Sequence, residues 1–247
     1  YEEAKAFVDE GKKLPTGEEA DQSQQSPGTP GTNAVKSQDH LAELVALGTK
    51  YSLDSVEPGL IDREIQNGAT SATSNPIIIS GIVSKILENI RKHGGPTNEF
   101  ESKIYDVLMT AANEEEATKE ITKIIVGDAA AKFRPVYDRT NKDDGYVSIE
   151  VDPRIEDTQA GPYSAMNFGQ RVDEVVRQAV EFSQIAPNIL IKVPATKVGL
   201  ASLEELAYRG INLNVTLIFS SRQAKIAREA IYKGLMRRKD GGKSIDI

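Results

Sequence analysis

PNILIKVPAT, residues 187–196, is an apolar run bounded by Pro187 and interrupted by one lysine. Its length and its β-branched residues read as a buried strand. Alternation along NILIKV (188–193) puts Ile189, Ile191 and Val193 on one face and Asn188, Leu190 and Lys192 on the other. A lysine is rarely buried unless it is paired or used. Lys192 therefore has three readings: a snorkelling group at a sheet edge, half of a structural ion pair, or a nucleophile.

The same parity recurs on both sides of this stretch. In VSIEVD (147–152), Val147, Ile149 and Val151 share a face, opposite Ser148, Glu150 and Asp152. In INLNVTLIF (211–219), Ile211, Leu213, Val215, Leu217 and Phe219 align, opposite Asn212, Asn214 and Thr216. An open parallel sheet is covered by helices on both faces and should be apolar on both. In a (β/α) barrel one face meets the helices and the other points inward, where polar groups near the strand C-termini line a site. The pattern thus favours a barrel whose interior gathers a lysine, a glutamate, an asparagine and a threonine. An ordinary sheet with one solvated face is the alternative.

The rest of the chain alternates as such a barrel requires. YSLDSV (51–56) is a short strand ending in Asp54, followed by a helix through Leu60, Ile61 and Ile65 that closes at Asn67-Gly68. ATSATSNP (69–76) is a strand running into a loop. Helical periodicity covers 80–93, 98–109, 113–126 and 168–185. A helix over Gly199–Arg209 stops at Gly210, and Ser220 caps a last helix. No GxGxxG follows a strand, so a dinucleotide-binding sheet has no support. Residues 1–14 suit a short helix. The Pro/Gly/Ser/Gln-rich segment up to residue 36 reads as a linker, so 1–36 is expected to be a flexible N-terminal extension and 37–247 the barrel domain.

Composition narrows the chemistry. The 247 residues carry a net charge of −7, against the basic excess expected of a nucleic-acid binder, and no run is long enough to span a membrane. There is no cysteine, and the two histidines, His40 and His93, lie far apart. Thiol chemistry and a Cys/His zinc site are excluded. A reaction here would use lysine, carboxylates and hydroxyls. A desolvated lysine can be neutral and attack a ketone, forming a Schiff base that permits cleavage of the neighbouring carbon–carbon bond. Asp54 suits the base for the hydroxyl proton, Glu150 and Thr216 a proton shuttle through water, and Asn75 and Asn214 the holding of substrate hydroxyls. Each has a plain structural reading too: a Lys192–Glu150 bridge, helix capping by Asp54, a strand threonine, and a turn at Asn75-Pro76.

TSNP (73–76), VSIEVDP (147–153), ILIKVPAT (189–196) and INLNVTLIFS (211–220) resemble, in order and spacing, the signature segments of transaldolases. The resemblance implies a (β/α)8 TIM barrel and a cofactor-free Schiff-base enzyme of the pentose phosphate pathway. Such an enzyme moves a dihydroxyacetone unit from sedoheptulose 7-phosphate or fructose 6-phosphate to an aldose phosphate. It further implies Lys192 as the Schiff-base lysine, Asp54 as acid/base, Glu150 and Thr216 around a catalytic water, and Asn75 and Asn214 on the substrate. Sugar phosphates are then the partners, with no nucleic acid and no membrane, in the cytoplasm or an organelle such as a plastid; a homo-oligomer is left open. Five strands are read in about 200 residues, whereas such a barrel has eight in roughly 250. The expectation is a C-terminally shortened barrel. A fructose-6-phosphate aldolase-like enzyme and a non-enzymatic assembly subunit derived from a transaldolase are the alternatives.

Overall fold

The computed structural model describes residues 37–245. The helix and linker expected over 1–36 lie outside them. The chain divides into two compact units, one containing residues 37–49 and Ser84–Ile121, the other Lys50–Val83 and the residues from Thr122 onward. In chain order the elements are α1 (Ser37–Ala46), β1 (Tyr51–Leu53), α2 (Pro58–Gln66), β2 (Ala69–Thr73), α3 (Pro76–His93), α4 (Glu99–Thr110), α5 (Glu114–Arg139) and β3 (Tyr146–Glu150). A 3-10 turn (Pro153–Glu156) leads to α6 (Phe168–Ser183), β4 (Ile189–Pro194), α7 (Lys197–Arg209), β5 (Leu213–Thr216) and α8 (Ser221–Asp240).

The smaller unit is helical. Ile86, Ile90, Ile104, Leu108, Ala117 and Ile121 are buried in it. Asn98 caps α4 by accepting from the Glu101 amide. The buried Glu101 carboxylate in turn accepts from the Thr97 amide at 2.7 Å and the Asn89 side chain at 2.7 Å. Burial raises the pKa of Glu101, but these donors outweigh it and hold the group below the ordinary carboxylate value.

The larger unit carries the sheet. All five strands are parallel and neighbour one another in chain order, β1-β2-β3-β4-β5. A doubly wound sheet reverses direction at a switch point. An order without reversal curls one way only, as right-handed crossovers keep adding helices to the same face. The larger unit is accordingly an incomplete (β/α) barrel, with five strands among the described residues. The outer strand faces are dry: Val147, Ile149, Ile191 and Val193 are fully buried, as are Phe133 and Ala129 of α5 and Leu203 and Leu206 of α7. Each such aliphatic side chain contributes roughly 1.5–3 kcal/mol.

Gly210 and Gly199 are among the glycines that geometry requires. Gly210 sits in the left-handed region (φ 79°) and closes α7. Gly199, in the first turn of α7, lies so close to β4 that a Cβ would stand 1.9 Å from the Pro194 carbonyl oxygen.

Among the boundaries that differ from the sequence expectation, four have a clear physical reason. α3 begins at Pro76, because Pro76 takes the first helical position, where no N–H is needed. α5 runs on to Arg139 with Pro135 inside it; Ile125, Val126, Phe133 and Val136 are buried along it, and that packing outweighs the lost backbone hydrogen bond. β5 ends at Thr216, since Leu217 adopts φ 58° and turns the chain out of the ladder. Asn188 precedes β4, so strand parity does not govern it. Its amide is fully buried and donates to the Ala130 and Gly145 carbonyls at 2.9 and 2.7 Å, which ties α5 and the entry to β3 onto β4.

Candidate active site

Register places three of the expected residues in one row. Glu150 of β3 pairs with Lys192 of β4, and Lys192 with Asn214 of β5. Pro194 pairs with Thr216, so Thr216 lies one pleat higher on the same inner face. Two contacts skip a whole strand. Lys192 Nζ donates past β3 to the Ser74 carbonyl at 3.4 Å, and Asn214 Nδ2 donates past β4 to Ser148 Oγ at 2.9 Å. In a flat sheet, second-neighbour strands lie nearly 10 Å apart. Side chains bridge that span only where the sheet is curled and its inner face concave.

Lys192 and Glu150 are well covered, with side-chain exposures of 14% and 11%, yet Nζ and Oε2 stand 3.8 Å apart. That is an ion pair beyond hydrogen-bond length. Burial pushes the Glu150 carboxyl above its ordinary value, and the opposing charge of Lys192 only partly offsets it. The result is a carboxyl biased toward holding a proton beside an amine.

Ser148 and Ser74 form the floor of this row. Ser148 accepts from Asn214 through its hydroxyl, while its carbonyl accepts from the Ser74 amide at 3.1 Å and the Ser74 hydroxyl at 2.8 Å. Alternation put Ser148 on the inner face without giving it a role. A strand serine carries no spacing signal of its own, and its importance appears only once β5 curls over it.

The remaining candidates stand apart from the row. Asp54 follows β1 and is exposed. It does not cap α2, whose N-cap is Glu57 with no side-chain cap. Asn75 Oδ1 accepts from the Ile78 amide at 2.9 Å, so one end of its side chain caps α3 and the amide Nδ2 is left as a donor. Thr216 closes β5 half-buried, its carbonyl accepting from the Ala195 amide at 2.8 Å. Among the described residues no hydrogen bond or ion pair joins Asp54 or Thr216 to Lys192. No group of His, Cys, Asp and Glu among them is arranged to hold a metal ion. No helix among them is long and apolar enough to cross a membrane.

A parallel β/α barrel with a covered lysine–carboxylate pair on its inner face defines the class. The chain belongs to the transaldolase/fructose-6-phosphate aldolase family, whose model matches residues 51–245. It is 34% identical over 178 residues to Transaldolase 2 of Streptomyces avermitilis, covering 72% of this chain and 42% of that protein. It is 33% identical over 215 residues to Transaldolase 2 of Nostoc sp., covering 83% and 50%. Against Transaldolase 1 of Streptomyces coelicolor it is 31% identical over 218 residues, covering 85% and 51%. The chain spans about half the length of these curated relatives.

Proposed function

We propose that this protein is a transaldolase that transfers a dihydroxyacetone unit between sugar phosphates through a Schiff base on Lys192. The observation that carries the reading is the row of Glu150, Lys192 and Asn214, with the glutamate raised in pKa and too far from the lysine to lock it. The Lys192 amine adds to the ketose carbonyl, giving a carbinolamine. Glu150, its carboxyl shifted upward by burial, hands a proton to the departing hydroxyl through a water held at Thr216, and the imine forms. Asp54 takes the proton of the hydroxyl at the bond that breaks, the aldose leaves, and the three-carbon carbanion is held as the enamine. Asn75 Nδ2 and Asn214 hold substrate hydroxyls. The acceptor aldose phosphate takes up the carbanion, and the steps reverse to free Lys192. No cofactor enters.

The natural setting for this reaction is the non-oxidative pentose phosphate pathway in the cytoplasm, with fructose 6-phosphate or sedoheptulose 7-phosphate as donor. The family's description also includes fructose-6-phosphate aldolase, which favours a second reading on the same residues: release of free dihydroxyacetone instead of transfer. Borohydride reduction in the presence of fructose 6-phosphate tests both. The expected result is a stable three-carbon adduct on the peptide containing Lys192. A folded protein that forms none, or forms it on another lysine, overturns the proposal. Omitting the acceptor aldose separates the two: steady dihydroxyacetone release identifies the aldolase.

A further inference from the structure

Thr216 is followed by an unusual backbone. Leu217 takes φ 58° without being glycine, and Leu217, Ile218 and Phe219 are all exposed. A left-handed residue of this kind costs roughly 1–2 kcal/mol and persists only where its surroundings hold it. With these side chains exposed, the hold on the turn is read from its polar contacts. One polar side chain grips it.

That side chain is Gln223, half-buried in the first turn of α8. Its Oε1 accepts from the Phe219 amide at 3.0 Å and from the Ser220 hydroxyl at 3.1 Å. Its Nε2 donates to the Ala195 carbonyl at 2.9 Å and to the Leu217 carbonyl at 3.4 Å. A glutamine can make about four hydrogen bonds, and this one uses both ends of its amide. Ala195 completes the loop, because its own amide donates to the Thr216 carbonyl at 2.8 Å. Ala195 lies three residues beyond Lys192 on the same chain segment. The backbone that carries Thr216 is therefore tied to the backbone that carries Lys192 on both sides of the strained turn.

The geometry points to Gln223 as a positioning residue: by clamping the turn 217–219 to Ala195, it sets where the Thr216 hydroxyl stands relative to Lys192. Ordinary N-capping of α8 would need only the Ser220 hydroxyl, which already accepts from the Gln223 backbone amide at 3.2 Å. It would not need the reach to Ala195. This inference rests on the Schiff-base reading for its kinetic consequence, since Thr216 matters to turnover only if it handles the water lost on imine formation.

The test is a double-mutant cycle on the full chain with Gln223→Leu and Thr216→Val, read with fructose 6-phosphate and an acceptor aldose. A displacement of the order of 1 Å in a catalytic group costs about 10²-fold, so Gln223→Leu should lower kcat by roughly 10- to 100-fold with KM within about twofold. In the Thr216→Val background the same change should cost less than about twofold, because the group it positions is gone. Amide exchange at Phe219 should quicken by at least about tenfold as its acceptor is removed. Gln223→Glu, which keeps the acceptor for Phe219 but cannot donate to Ala195, should lose kcat while leaving Phe219 protected, and it carries the test if the leucine variant does not fold. Equal losses of kcat in both backgrounds, or undiminished kcat in both Gln223 variants, overturn the proposal. A wild-type protein that borohydride does not trap with fructose 6-phosphate sinks the Schiff-base reading instead; unchanged Phe219 exchange in Gln223→Leu then still overturns the clamp.

Discussion

Two glutamates of the larger unit are equally covered and behave in opposite ways. The side chains of Glu150, on the inner face of β3, and Glu174, on α6, are each 11% exposed. Burial is the largest influence on both and raises both. Glu174 nevertheless ends below the ordinary value, because Arg177 grips it in a fork at 2.6 and 2.7 Å and Gln178 donates at 2.8 Å. Glu150 ends above it, because its one opposing charge stands 3.8 Å away. Coverage is thus not what decides which way a carboxylate's pKa moves. The number and closeness of donors decide it, and the barrel interior withholds them where the helix surface supplies them. The Glu174 pair is saturated; the Glu150–Lys192 pair, which the proposed reaction uses, is left short of partners.

The strongest way to break this contrast is to remove the lysine. Lys192→Met should abolish borohydride trapping and lower turnover by about 10⁴-fold or more. It also deletes the charge that restrains Glu150, so the Glu150 carboxyl should titrate higher still by carbon-13 NMR. A downward move would show that the carboxyl is set by something other than burial against Lys192.

Next in size is Glu150→Gln. Loss of a positioned acid should lower kcat by roughly 10²–10³-fold. Stability should move the other way with pH. A carboxyl raised in the folded state contributes stability that is fully present below its unfolded pKa and is lost as pH rises through the folded pKa. Against wild type, Glu150→Gln should therefore gain in relative stability as pH is raised from the acidic range to neutrality. Urea midpoints at several pH values would read this, and a flat difference would contradict the raised pKa.

A third change addresses the frame rather than the row. Asn188→Leu removes two buried hydrogen bonds and leaves the Ala130 and Gly145 carbonyls short of a donor. A loss of about 2–3 kcal/mol is expected, with the trapped adduct on Lys192 retained in the folded fraction.

Asn188 also shows where sequence reading stops. Alternation identified the outer and inner faces of β3 and β4 because a period of two is imposed by the pleat itself, and Val147, Ile149, Ile191 and Val193 are dry as it requires. The same rule set Asn188 beside Lys192, whereas the Asn188 carbonyl accepts the Val147 amide at the foot of the ladder and its side chain ties α5 and the entry to β3 together from outside the row. The row of Glu150, Lys192 and Asn214 was legible in part, since each residue has the right parity. Register between strands, and the curl that brings Asn214 to Ser148, are properties of long-range pairing that no local pattern encodes. The end of β5 was missed for a related reason: LIF (217–219) has strand-like residues, and the left-handed turn at Leu217, whose carbonyl accepts from Gln223, is a tertiary feature with no local signal.

The smallest effect is expected on the saturated side of the comparison, and its sign is the informative part. Arg177→Ala deprives Glu174 of its fork while leaving the 2.8 Å donor from Gln178. Arg177 is 56% exposed, so solvent screens the pair and the loss at neutral pH should be no more than about 1 kcal/mol. A carboxyl depressed in the folded state contributes stability that is present above its unfolded pKa and is lost as pH falls through the folded one. The destabilisation by Arg177→Ala should therefore be largest at neutral pH and fade on acidification, the reverse of the trend for Glu150. Trapping at Lys192 should be unaffected, because nothing in the pair reaches the inner face. Parallel pH trends for the two positions would mean that burial alone governs both carboxylates, and the distinction between a saturated and an unsaturated pair would not hold.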